Sequence, residues 1–149
     1  MTKNKTILFP TDFSESAAYA FRYAQKLAHR LEAAIELIHV YHIPLHLMDV
    51  LAPTKLKDLD PVLREQLERD LREFAERNTR EKMPITYKLR VGIPTQEILE
   101  EANKLDVIMI IMGTMGVSGL QRLLMGSVAE QVVRLSSQPV LTVRSRGSD

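Results

Sequence analysis

Short apolar runs alternate along this chain with longer stretches in which apolar residues recur every three or four positions. Residues 6–10, Thr-Ile-Leu-Phe-Pro, predict a first strand. Asp12, Ser14 and Glu15 then offer N-cap side chains for a helix that places Ala17, Ala20, Phe21, Ala24, Leu27, Ala28 and Leu31 on one side. Residues 35–41 predict a second strand. From 43 to 60 the chain carries Pro44 and Pro53 without a clear period, a length usual for functional or mobile connections. Asp60-Pro61 marks a helix start, and Leu63, Leu67, Leu71, Phe74 and Ala75 form its apolar stripe to about residue 80. The other face is a Glu/Arg ladder. Pairs such as Glu65–Arg69 and Glu73–Arg77 have i,i+4 spacing, worth about 0.2–0.5 kcal/mol each, and read as solvated surface.

Residues 85–91 alternate strictly, which predicts a half-exposed strand at a sheet edge. Gly92 and Pro94 turn the chain into a short helix through residue 103. Val107-Ile108-Met109-Ile110-Ile111-Met112 is too short for a helix and rich in β-branched residues, so it predicts a strand covered on both faces. A helix over 127–135 and a strand over 140–143 complete five strands and four helices in alternation. Such alternation predicts an α/β fold: a single-domain, open, parallel, doubly wound sheet with right-handed crossovers and helices on both faces.

Composition narrows the function. A chain of 149 residues suits one domain with a full core. Twenty basic and nineteen acidic residues, interspersed, give a formal charge of +1, so neither nucleic acid nor an anionic membrane is an expected partner. With no cysteine, disulfides, thiolate metal sites and a cysteine nucleophile are excluded. No apolar run is long enough to span a bilayer and no apolar signal segment precedes the first strand, so a cytoplasmic location is expected.

The candidate chemistry lies where the covered strand meets the next helix. Gly113-Thr114-Met115-Gly116 is followed after nine residues by Gly126-Ser127. Glycines permit positive φ and close approach of a ligand to the backbone, and a helix beginning near Ser127 offers orphan N–H groups and a positive dipole end. Neither Gly-x-Gly-x-x-Gly nor Gly-x-x-x-x-Gly-Lys occurs. Read from physics alone, the junction is open to an anion site or to a tight turn. Ser127 with Glu130 is also a capping box, and Asp12 is also an N-cap candidate.

The spacing Gly-x2-Gly-x9-Gly-Ser, with Gln138-Pro139-Val140-Leu141-Thr142-Val143 downstream and the opening Ile7-Leu8-Phe9-Pro10-Thr11-Asp12, resembles the ATP-binding members of the universal stress protein family. The resemblance implies a universal stress protein domain over 1–146 with a tail at 147–149, a Rossmann-like adenine-nucleotide-binding fold, and strand order 3-2-1-4-5. It implies ATP, accompanied by Mg²⁺, as ligand, and a nucleotide-responsive regulatory or stress-tolerance role with at most weak hydrolysis. Carried over by position, Pro10, Thr11 and Asp12 border the adenosine, and the backbone of Val40 meets the adenine edge. Met112 and Gly113 lie by the ribose. Gly116, Gly126, Ser127 and Val128 present N–H groups to the phosphates, which Met115 and the segment to Arg122 cover. The resemblance also implies a homodimer through the last strand, Val140, Leu141, Thr142 and Val143. Met115 and Phe13 depart from residues common in the family, a basic or polar one and a small one respectively.

Other chemistry is weaker. His39, His42 and His46 cluster near the end of the second strand, but no carboxylate or cysteine completes a metal-ligand spacing. Met109, Met112, Met115 and Met125 suit core and pocket wall. Ser118 lacks a Gly-x-Ser-x-Gly setting, and no catalytic residue is assigned. The rival readings are a slow ATPase and a partner-binding protein with an empty site.

Overall fold

A computed structural model describes residues 4–44, 46, 59–115 and 125–145. Strand β1 spans Thr6–Pro10, β2 Ala34–His42, β3 Ile85–Gly92, β4 Met109–Gly113 and β5 Val140–Val143. They form one parallel sheet in the order β3-β2-β1-β4-β5. Ile7 lies opposite Ile35 of β2 and Met109 of β4, so β1 and β4 flank the reversal of order.

Between the strands run four helices among the described residues: α1 at Glu15–Leu31, α2 at Pro61–Asn78, α3 at Pro94–Leu105 and α4 at Ser127–Leu135. Ser14 caps α1, its side chain accepting from Ala17 N–H at 3.1 Å. Asp60 caps α2 through Val62 and Leu63 N–H at 2.8 and 3.3 Å, just before Pro61. Each such cap is worth about 1 kcal/mol.

Period-two alternation splits the strands between two cores. Ile7, Phe9, Ile35 and Leu37 pack under α1 and α2 against Phe21, Leu71 and Phe74. Leu8, Ile38, Val40, Ile110 and Met112 pack against Ile98 of α3 and Val132 of α4. Phe21 sits 5.1 Å from Phe9 and 5.6 Å from Phe74 between ring centroids, distances at which edge-on aromatic pairs attract.

Two boundaries and one surface pairing differ from expectation. Helix α2 stops at Asn78, because Gln25 of α1, 1% exposed, takes the next backbone groups: its Oε1 accepts from Arg80 and Glu81 N–H, while its Nε2 donates to Asn78 O. Strand β4 begins two residues later than predicted and ends one later, at Gly113, which pairs with Val143. On the α2 surface, Arg69 turns to Gln66, which itself bonds Asp70.

Candidate functional site

A cleft of about 410 Å³ opens at the carboxyl ends of β1 and β4, within the range usual for small-ligand sites and at the point where the strand order reverses. Four stretches build it: Pro10 to Asp12, Ile38 to His42, Met112 to Met115, and Gly126 to Ala129. Pro94 and Ile98 of α3 close one side. Of the sequence-predicted residues, Pro10, Thr11, Asp12, Val40, Met112, Gly113, Met115, Gly126, Ser127 and Val128 all line this one cleft. Gly116 and Arg122 lie outside the described residues, as do most of the 43–60 connection and the 147–149 tail.

One end is a tightly bonded turn. Thr11 N–H donates to Ile38 O at 2.8 Å, and Thr11 Oγ1 accepts from Phe13 N–H at 3.0 Å. Asp12 is not the N-cap of α1: that position belongs to Ser14, whose N–H Asp12 Oδ1 accepts at 3.0 Å. Phe13 occupies the left-handed region at φ 67°, a conformation that an ordinary side chain adopts only when its surroundings fix it. Its ring lies 4.4 Å from the His39 ring and 6.2 Å from Phe74 between centroids. His39 Nδ1 donates to Thr11 O at 2.8 Å, and burial lowers the His39 pKa from its ordinary value, against the pull of that bond and of Asp12 and Asp70. The imidazole is thus a neutral strut under the turn.

The other end is the start of α4. The expected capping box is absent: Gly126 holds the N-cap at φ −69° and ψ 161°, with no side-chain bond, and Ser127 is the first helical residue. Its hydroxyl is therefore not engaged in capping. Gly126 N–H donates to Thr114 O, and Glu130 N–H donates to Gly126 O. Between them, the amides of Ser127, Val128 and Ala129 are first-turn donors without an intrahelical acceptor, on residues that line the cleft at the positive end of the helix. Gly126 itself takes part through space rather than through its amide.

Gly113 is a glycine for a steric reason. It sits in β4, and a Cβ there would lie 2.8 Å from Ser16 Oγ and 3.1 Å from Ser16 O, so α1 passes directly over it. Thr114, 5% exposed with an unpartnered Oγ1, also lines the cleft and was not singled out from sequence. Pro94 and Ile98 were likewise missed, although their place just after a parallel strand puts them at the carboxyl end of the sheet. Among the described residues, no group of three His, Asp or Glu could hold a metal ion. His39 bonds the Thr11 turn, and His42 stands at the exposed end of β2.

An open parallel sheet with a cleft at its order reversal defines a Rossmann-like α/β domain. The universal stress protein family model matches residues 3–144. The universal stress protein MJ0577 of Methanocaldococcus jannaschii is 31% identical over 157 aligned positions, covering 97% of each chain. The solved structure of hypothetical protein MJ0577 superposes with a TM-score of 0.80 at 30% identity, covering 99% of this chain and 100% of the other. A universal stress protein in complex with cAMP shares the fold at a TM-score of 0.62 and 24% identity, covering 96% and 98%. One from Archaeoglobus fulgidus in complex with dAMP does so at 0.60 and 18%, covering 95% and 98%. The chain belongs to the universal stress protein family. No helix among the described residues is long and apolar enough to cross a membrane.

Proposed function

We propose that this chain binds ATP in the cleft and works as a nucleotide-responsive regulatory module, a binder rather than a catalyst, in the cytoplasm. The observation that carries the reading is the pairing of two unlike ends in one cleft. The free first-turn amides of α4 suit a polyanion, and the Thr11–Asp12 turn, braced by His39, offers a carboxylate to ribose or base donors. That two proteins of the same fold hold cAMP and dAMP agrees with an adenine nucleotide. Asp12 is the only carboxylate among the described residues that line the cleft, so Mg²⁺ arrives on the phosphates, with the Ser127 hydroxyl as a protein oxygen at that end. With no further carboxylate among the described lining residues to activate water, hydrolysis is expected to be slow.

The functional unit is a homodimer across β5. That strand is an outer edge of the sheet, with Leu141 38% exposed, and it lacks the charges that protect open strands; Val133 and Leu135 of α4, the helix before it, are 47% and 60% exposed.

The test of ATP binding is thermal. ATP at a hundred times its dissociation constant stabilises by about 2.7 kcal/mol, or about 5–10 °C for a domain of this size. Gly126→Val introduces a side chain beside the phosphate end while its backbone angles remain accessible to valine. The variant is expected to melt near wild type and to lose most of the ATP shift; equal shifts in both proteins reject this site.

A further inference from the structure

Below the cleft, on the α3 side of the sheet, three carboxyl groups gather around one guanidinium and a fourth is buried close to one of them. Arg90 of β3 forms an ion pair with Glu97 at 3.1 Å and hydrogen-bonded ion pairs with Glu100 at 2.8 Å and Glu101 at 2.9 Å. Glu36 of β2 joins them from the middle of an otherwise apolar strand, 8% exposed, while Glu101 is 2% exposed. Glu36 and Glu101 lie close enough for a carboxyl–carboxyl hydrogen bond once one of them is protonated, and Glu36 Oε1 is buried without a partner. Ionised carboxylates only accept hydrogen bonds. A bond between two of them requires a proton, and Arg90 already fixes Glu101 as an acceptor.

We propose that Glu36 and Glu101 form a proton-binding site between β2 and α3, and that its occupancy is coupled to ligand affinity in the neighbouring cleft. The coupling half rests on the nucleotide reading above. Its route is short. Glu36 shares one face of β2 with Ile38 and Val40, and Glu101 lies one turn beyond Ile98 on α3. Ile38, Val40 and Ile98 are cleft wall. With the proton bound, the pair ties α3 to the sheet. Without it, two buried like charges face each other at the same joint and loosen that wall.

The surrounding charges fit. Beta-strand β3 contributes Lys88 and Arg90, α3 contributes Glu97, Glu100, Glu101 and Lys104, and β1 has no charged residue. Burial, then the charge of Glu101 and the bond to it, raise Glu36 to about 7, against the pull of Lys88 and Lys104. Burial also raises Glu97, against Arg90. A carboxyl raised on folding favours the folded state most when protonated. Its contribution is present below the unfolded value, near 4.3, and is lost as pH rises towards about 7.

The experiment compares wild type with Glu36→Gln from pH 5 to pH 8, unfolding each protein without ligand and titrating each with ATP. The wild-type unfolding constant is expected to rise relative to that of Glu36→Gln, by up to about tenfold per pH unit below 7. The wild-type dissociation constant for ATP is expected to rise about fivefold or more between pH 6 and 8, with a flatter profile in the variant. Parallel stability curves overturn the proton site. Divergent stability curves with identical affinity profiles overturn the coupling alone. Absence of ATP binding at every pH overturns the nucleotide reading and the coupling, while the ligand-free curves still decide the proton site. If Glu36→Gln does not fold, Glu101→Gln replaces it, and ¹³C carboxyl shifts of wild type decide: a glutamate midpoint near 7 supports the site, and none above about 5 rejects it.

Discussion

Adding one methyl group at Gly113 tests how closely α1 is set against the floor of the cleft. The new Cβ would stand 2.8 Å from Ser16 Oγ, 3.1 Å from Ser16 O and 3.3 Å from Ser16 C. The hydroxyl can rotate away, but the two backbone atoms move only if the first turn of α1 moves. Overpacking of this kind costs about 1–3 kcal/mol. Gly113 is not a left-handed residue, so alanine meets no backbone penalty and recovers about 0.4–1 kcal/mol of unfolded-chain entropy. The net expectation for Gly113→Ala is a loss of about 1–2 kcal/mol, seen as a Tm lowered by about 2–8 °C, and urea unfolding should show it as a lower midpoint with unchanged slope. Adding Ser16→Ala removes the shortest contact and should restore part of the loss, leaving the backbone part. A Gly113→Ala protein as stable as wild type, or more so, would refute the close approach and with it the steric reason for glycine here.

Leu141→Lys places a charge on the open β5 edge and should leave monomers in light scattering; a wild-type monomer at high concentration would reject the β5 dimer. Gln25→Leu keeps the volume but strands the Asn78 carbonyl and the Arg80 amide, so chemical denaturation should register a loss of about 1–3 kcal/mol; an unchanged midpoint would mean that other groups hold the α2 terminus.

The order of elements was legible because each carries its own period: 3.6 in α1 and α2, two in β3, and none in the covered β4. What sequence could not supply came from partners distant along the chain. The end of α2 is decided by Gln25, an amide on another helix, and no local signal at Thr79 announces it. The capping box at Ser127 was a sound local pattern that lost to a tertiary bond, since Gly126 is drawn to Thr114 O and takes the cap position itself. Topology and glycine spacing brought the described candidates to one cleft, but the role of His39 was not legible, because its bond to Thr11 O depends on β1 and β2 being neighbours. Glu36 was not singled out, since the groups that act on it lie on β3 and α3.

The pairing of β1 with β4 also dictates a timetable for synthesis. A ribosome delivers β1, β2 and β3 in that order, and these can pair at once, but the strand that covers the far side of β1 begins at Met109, opposite Ile7. At about 5–20 residues per second, the roughly 100 residues between them leave that side of β1 bare for about 5–20 s. During that interval Leu8 and its backbone donors form a sticky edge on a half-built sheet, the kind of surface to which chaperones attach. Two of the four stretches of the cleft are also still missing, so no ligand can shield the nascent chain, and occupancy of the cleft certifies that β4 has been inserted.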